Sequence, residues 1–224
     1  MIPLKDENET QKKCYIRLVI LIICVLVFFF QILSPDNNYW IYYFGFKPLS
    51  LFQNVTYPSF PGYLTLITSL FLHGGWMHFL GNMLYLWIFA DNVEDKLGTK
   101  RFVIFYLISG IFASLTQAFF NFNSEVPMIG ASGSIAGVLG AYLYFFPKAK
   151  VLVLIPFFIF FTVKVPAYIL LIFWFLYQFL NLSNFDSSVA WLAHIGGFIF
   201  GYFFAVFSKS YNSGREGKTV LLDK

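Results

Sequence analysis

The chain has 224 residues, of which 58% are hydrophobic, 22% aromatic and only 12% charged, about half the ~25% charged fraction of a soluble domain. This excludes an ordinary soluble globular protein, because the apolar runs, rich in 31 phenylalanines, are long enough to cross a bilayer. The net charge of +4 is distributed between those runs rather than gathered in one basic patch, so no nucleic-acid partner is expected.

Residues 1–16 are polar and mixed in charge, without a signal-peptide core, so the first apolar run is expected to stay as an anchor. That run, between Arg17 and Asp36, reads as the first membrane helix, and Arg17 reaches toward the headgroups. The two cysteines, Cys14 and Cys24, sit where neither a disulfide framework nor a metal site is expected. The next stretch carries Pro35, Pro48, Pro58 and Pro61 among many aromatics and reads as a folded interfacial loop, about 34–72. His73-Gly74-Gly75-Trp76 leads into a second helix from Met77 to Ala90 or slightly beyond. It closes on Asp91, Glu94, Asp95, Lys96, Lys100 and Arg101, where Glu94 reads as part of a solvated helix end. A third helix over Phe102–Phe120 and a fourth over Met128–Phe146, stopped by Pro147, follow. Val151 to Val163 is apolar but only 13 residues long, short of a span, and reads as an interfacial or re-entrant segment. The fifth helix covers Pro166–Leu182, with proline in its first turn, and the sixth Val189–Phe207.

Six crossings put both termini on one side, and 14 of the 15 Lys and Arg residues then face the cytoplasm, leaving only Lys47 outside. The expected fold is therefore an all-α polytopic membrane protein of six helices. It divides into a cytoplasmic N-terminal segment at 1–16, a membrane domain at 17–208 and a cytoplasmic tail at 209–224.

Ionisable or polar groups within spans are functional candidates by default. His78 and Asn82 lie on the second helix, Ser132 and Ser134 on the fourth, and His194 on the sixth, while no Asp or Glu falls inside a span. These three helices run the same way, and each carries its polar group within roughly two turns of its start, about 10 Å below the outer surface. Small residues bring two of them together: Gly133, Ala136, Gly137, Gly140 and Ala141 on the fourth, and Ala190, Gly197 and Gly201 on the face of His194 on the sixth. Such ribbons ordinarily only pack. Here they carry a hydroxyl and an imidazole, the minimum for nucleophilic catalysis. His78 and Asn82, one turn apart, and the first-turn amide of Ser132 supply donors for an oxyanion. Asp186, eight residues before His194, is too far along a helix to be a third member, so the reading is a dyad. The duller alternatives are specific: a transmembrane Ser bonds the carbonyl four residues back, Asn82 is interhelical glue, and His73 holds the loop. His73 and His78 are five residues apart without a Glu after the first, which is not a zinc pair.

Gly130-Ala131-Ser132-Gly133 opening one helix, His194 followed by Gly197 and Gly201, and the stretch His73 to Asn82 together resemble the rhomboid family of intramembrane serine proteases, from about Leu70 to Phe207. The resemblance implies a rhomboid-like bundle that hydrolyses peptide bonds in or beside transmembrane segments, with Ser132 as nucleophile and His194 as general base and then acid. It places the oxyanion role on His78, Asn82 and the Ser132 amide, with Gly130, Gly133, Gly137, Ala190, Gly197 and Gly201 packing around them. It implies no metal or other cofactor, transmembrane protein substrates in the lipid bilayer, and a prokaryotic plasma membrane with the site toward the outer face. An aromatic that packs on the imidazole in some members falls at Ala136, so something else, such as a neighbouring helix, must position the ring. The competing reading is a non-proteolytic rhomboid-like factor that binds membrane proteins for quality control. A small transporter is disfavoured by the lack of embedded carboxylates and of a repeat between halves, and a paired-aspartate protease by the same lack of acids. The natural substrate and the oligomeric state are not encoded legibly. A wet cavity capped near Phe185 is expected, with Ser134 accessible in it.

Overall fold

A computed structural model describes residues 1–55, 59–156, 160–184 and 189–222. It is mostly helical, with α1 (Ile16–Leu33), α2 (Asn37–Phe44), α3 (Gly62–Thr68), α4 (Trp76–Leu97), α5 (Thr99–Phe120), α6 (Ser132–Phe145), α7 (Ala167–Leu180) and α8 (Trp191–Leu222). Three stretches, Ile16–Leu33, Thr99–Phe120 and Trp191–Ser208, are long and apolar enough to cross a membrane, while α6 and α7 are shorter apolar helices of 14 residues.

The expectation of an all-α chain is corrected by a three-stranded antiparallel sheet, β1 (Ile2–Asp6), β2 (Lys150–Pro156) and β3 (Phe160–Pro166), in the order β1-β2-β3. The run from Val151 to Val163 is rich in β-branched and aromatic residues, which favour strands. Too short to span as a helix, it folds back on itself, with Val151 opposite Val165 and Val153 opposite Val163. Pro3, which has no amide to donate, sits in the edge strand β1, where the register slips before Lys5. The N-terminal segment is docked on the bundle: Glu7 pairs with Lys164 of β3, and β1 lies along α4.

The charged end of α4 is not solvated. Glu94 is 1% exposed, and its carboxylate accepts the amides of Tyr15, Ile16 and Arg17 at 3.0, 3.1 and 3.1 Å. These are orphan donors at the start of α1, and an anion there also opposes the helix dipole. Asp95 accepts from the amides of Gln11 and Lys12. Arg17 bridges to Asp91 at 2.9 Å and lies 4.2 Å over the ring of Trp87. The charge cluster that reads as a surface is a clamp on the N-terminal segment. Helix α4 accordingly extends through it to Leu97 before Gly98, whose φ is +79°.

Helix α6 forms the centre of the bundle and is buried throughout Gly133–Tyr142. It packs on α8 through bare backbone. A Cβ on Gly201 would lie 1.9 Å from the carbonyl oxygen of Gly137, and one on Gly197 2.3 Å from that of Gly133. Gly140 faces the backbone of Phe198 in the same way, whereas Gly133 itself lies against Ala113 of α5. The fourth and sixth helices start later than the sequence suggests, at Ser132 and Trp191; before the fourth, Met128 is bridged to Phe46 and the Gly130 amide donates to Ser69. The loop at 34–72 contains α2 and α3 and is tied down by Gln31, which exchanges two hydrogen bonds with the peptide of His73 at 3.0 and 3.1 Å.

Replacing Gly201 by Ala should force α6 and α8 apart and lower stability by about 1–3 kcal/mol. Gly81, whose Cβ would meet nothing within 4 Å, should tolerate Ala without loss, a contrast that thermal unfolding in micelles will read. A second prediction concerns Asp6, which accepts from Tyr142 at 2.7 Å and Asn92 at 2.8 Å. Burial pushes its carboxyl up from 3.8 to about 6. The folded state then holds the proton more tightly than the unfolded one, so this contribution is complete below pH 3.8 and is lost as pH rises through about 6. Hydrogen exchange of the Ile2–Asp6 amides, corrected for intrinsic rate, should show weaker docking at pH 7 than at pH 5, and Asp6→Asn should remove that difference.

Candidate functional site

The site is built where α6 begins. Gly130 has φ +118°, a conformation open to glycine at little cost, and its amide donates to the carbonyl of Ser69 at 2.9 Å. A Cβ there would fall 2.6 Å from His78 Nε2. Gly130 is therefore packed against the side chains of His78 and Asn82 of α4. Ser132 follows as the first residue of α6, so its amide has no intrahelical acceptor. His194 lies in the first turn of α8, and its amide donates to the carbonyl of Ala190, a residue of the cavity wall. Its Nε2 is 2.8 Å from the Ser132 hydroxyl oxygen.

The other side of the imidazole meets α7. Nδ1 lies 2.9 Å from Oε1 of Gln178, a side chain only 2% exposed. Trp174, one turn earlier, faces the ring at 5.7 Å between centroids with a tilt of 34°, and Trp191 stands edge-on at 6.2 Å. Ala136 lies in the core, and the aromatic contact comes from α7 instead. The sequence reading missed Gln178. Its signal was a lone amide among the apolar residues of α7, one helical turn after a tryptophan.

His78 and Asn82 enter from α4, and with Gln117, Asn121, Ser132 and His194 they line a cavity of about 750 Å³. His78 Nδ1 accepts the Gly74 amide at 3.3 Å, which leaves the ring proton on Nε2, the nitrogen nearest Gly130. Asn82 Nδ2 is buried and has no hydrogen-bond partner among the described residues, and it lies 3.5 Å from the position of a Cβ on Gly130. Both nitrogens thus lie against Gly130. His73 is buried behind them with its ring 5.2 Å from that of His78. Ser134 does not reach the cavity: its hydroxyl faces α5, where a Cβ on Gly110 would meet it at 2.3 Å. Asp186 and the expected cap near Phe185 lie outside the described residues.

A hydroxyl against an imidazole nitrogen, with the unpartnered Asn82 donor nearby in a roomy cavity, is an arrangement suited to nucleophilic attack on a carbonyl. Similarity to known proteins points the same way. A family model described as the Rhomboid domain matches residues 61–210. The chain is 35% identical over 156 residues to Rhomboid protease GluP of Bacillus subtilis, covering 70% of this chain and 28% of that protein. It is 35% identical over 139 residues to RHOMBOID-like protein 5 of Arabidopsis thaliana, with 62% and 41% covered. It is 29% identical over 158 residues to mitochondrial Rhomboid protein 1 of Saccharomyces cerevisiae, with 68% and 44% covered. The chain thus spans less than half the length of each of these relatives. Because the matched domain takes in Ser132, His194, His78 and Asn82 and most of the helical bundle around them, this integral membrane protein belongs to the rhomboid family.

Proposed function

We propose that the chain is an intramembrane serine endopeptidase that cuts transmembrane protein substrates in or next to their membrane segments. The single observation that supports it best is the 2.8 Å contact between Ser132 Oγ and His194 Nε2 on the wall of the cavity. In this reading Ser132 Oγ attacks the scissile carbonyl carbon while its proton passes to His194 Nε2. The carbonyl oxygen takes the negative charge and is held by the Ser132 amide, His78 Nε2–H and Asn82 Nδ2–H. Collapse of this intermediate breaks the C–N bond, and the imidazolium gives its proton to the departing nitrogen. Water then adds to the acyl-enzyme, losing a proton to His194, and the ester oxygen leaves as the Ser132 hydroxyl takes that proton back.

The six-crossing topology with both termini in the cytoplasm belongs to the same proposal, and 14 of 15 basic residues on one side support it. In that topology residues 17–208 form the membrane domain, between an N-terminal segment at 1–16 and a tail at 209–224, and the site opens toward the outside of a prokaryotic plasma membrane. Relatives named as mitochondrial place the fold in other membranes as well. The reading as a non-proteolytic binding factor is met by the retention of both Ser132 and His194 in contact.

Ser132→Ala in the full chain should abolish cleavage of a model transmembrane substrate and labelling by a fluorophosphonate while leaving thermal unfolding unchanged. Cleavage that persists in this variant would refute the proposal. Asn82→Ala removes one donor and should lower kcat about 10²-fold or more with little effect on KM. An unchanged kcat would remove Asn82 from the oxyanion site.

A further inference from the structure

The imidazole of His194 has two fixed neighbours, and the second determines which proton it carries. Gln178 Nε2 donates to the carbonyl of Trp174 at 2.6 Å. A carbonyl oxygen only accepts, so the amide nitrogen must occupy that side, and Oε1 must be the atom 2.9 Å from His194 Nδ1. Oε1 also only accepts. The proton of the neutral ring therefore sits on Nδ1, and Nε2 presents its lone pair to the Ser132 hydroxyl at 2.8 Å.

We propose that Gln178 is the positioning residue of the site: an uncharged third member that fixes the tautomer and the plane of His194 through a hydrogen-bond chain anchored on the backbone of α7. The inference rests on the proteolytic reading for its kinetic consequence, though not for its geometry. It accounts for how the site functions without an acid. A carboxylate buried here would need its charge compensated, and the described contacts of Gln178 include no cation. The amide oxygen instead offers a dipole that favours the imidazolium when Nε2 takes the serine proton. Trp174 contributes twice, through its carbonyl to the amide and through its ring to the imidazole. One turn of α7 thus sets both the rotation and the lateral position of the base.

The test uses the full chain in proteoliposomes with a model transmembrane substrate. Gln178→Leu keeps the volume but removes the acceptor, and kcat should fall about 10²-fold, the loss typical of a misplaced catalytic group, with KM little changed. Gln178→Glu, which as the neutral acid can donate its O–H to the Trp174 carbonyl and keep the other oxygen toward Nδ1, should recover most of the loss. Nitrogen-15 spectra of the His194 ring, which need no substrate, should show a protonated Nδ1 and an unprotonated Nε2 at neutral pH. A Leu variant within about threefold of wild type, a Glu variant no better than Leu, or a wild-type ring protonated on Nε2 would each overturn the proposal. If Ser132→Ala is inactive and any of these occurs, only the role of Gln178 fails; if Ser132→Ala still cleaves, the proteolytic reading fails instead.

Discussion

The arrangement depends on the absence of side chains between α6 and α8. The carbonyls of Gly133 and Gly137 approach Gly197 and Gly201 so closely that a Cβ at either of the latter would overlap an oxygen. Between apolar helices in a lipid environment there is little hydrophobic gain in association, and close backbone packing takes its place. Ser132 is the residue immediately before Gly133, and His194 is one turn before Gly197. The contact that brings the backbones together therefore also delivers the hydroxyl and the imidazole to each other at 2.8 Å. Packing and proposed chemistry are the same feature seen at adjacent turns.

A site assembled this way can remain neutral. Its described polar members are a serine, histidines and amides, and the ring of His194 is enclosed by Trp174, Trp191 and Gln178. The acids at the far end of α4 are compensated, Glu94 and Asp95 by backbone amides and Asp91 by Arg17. In a low-dielectric setting a neutral amide satisfies the second ring nitrogen without the desolvation cost of a carboxylate. What is given up is the full electrostatic stabilisation of an imidazolium. In exchange, the imidazole of His194 is held by a hydrogen-bond chain that ends on backbone and does not depend on a charge.

The parts of the fold that could be read from sequence are those governed by periodicity within one helix. The spacings of His78 with Asn82 and of His194 with Gly197 and Gly201 are local facts, and small residues mark the faces that meet. What escaped notice requires a partner far along the chain. Glu94 reads as exposed until the amides of residues 15–17 are seen to reach it, 77 to 79 positions away. The sheet is invisible in the run from Val151 to Val163 alone because its third strand comes from Ile2–Asp6. The place of Gln178 cannot be read without its partner, because nothing in α7 itself says that it faces a ring on α8.

Helix α4 carries polar residues at both ends, and the state of their hydrogen bonds separates the two clusters by purpose. Near Leu97 the groups are saturated: Glu94 receives three amides, Asp95 two, and Asn92 exchanges bonds with Asn8 and Asp6. Such a cluster stabilises the fold and has nothing left to offer a ligand. Near Trp76 the opposite holds, since Asn82 keeps a buried donor that no described residue accepts. An orphan donor costs about 1–3 kcal/mol, a penalty a packing role does not explain when the group faces a cavity of about 750 Å³. In the proposed reaction the cost falls away when a substrate oxygen enters beside Ser132, and most completely when that oxygen is negative, because charge-assisted bonds are roughly twice as strong as neutral ones. An interaction that strengthens as charge develops favours the transition state over the bound substrate, which is the part the proposed reaction gives to Asn82.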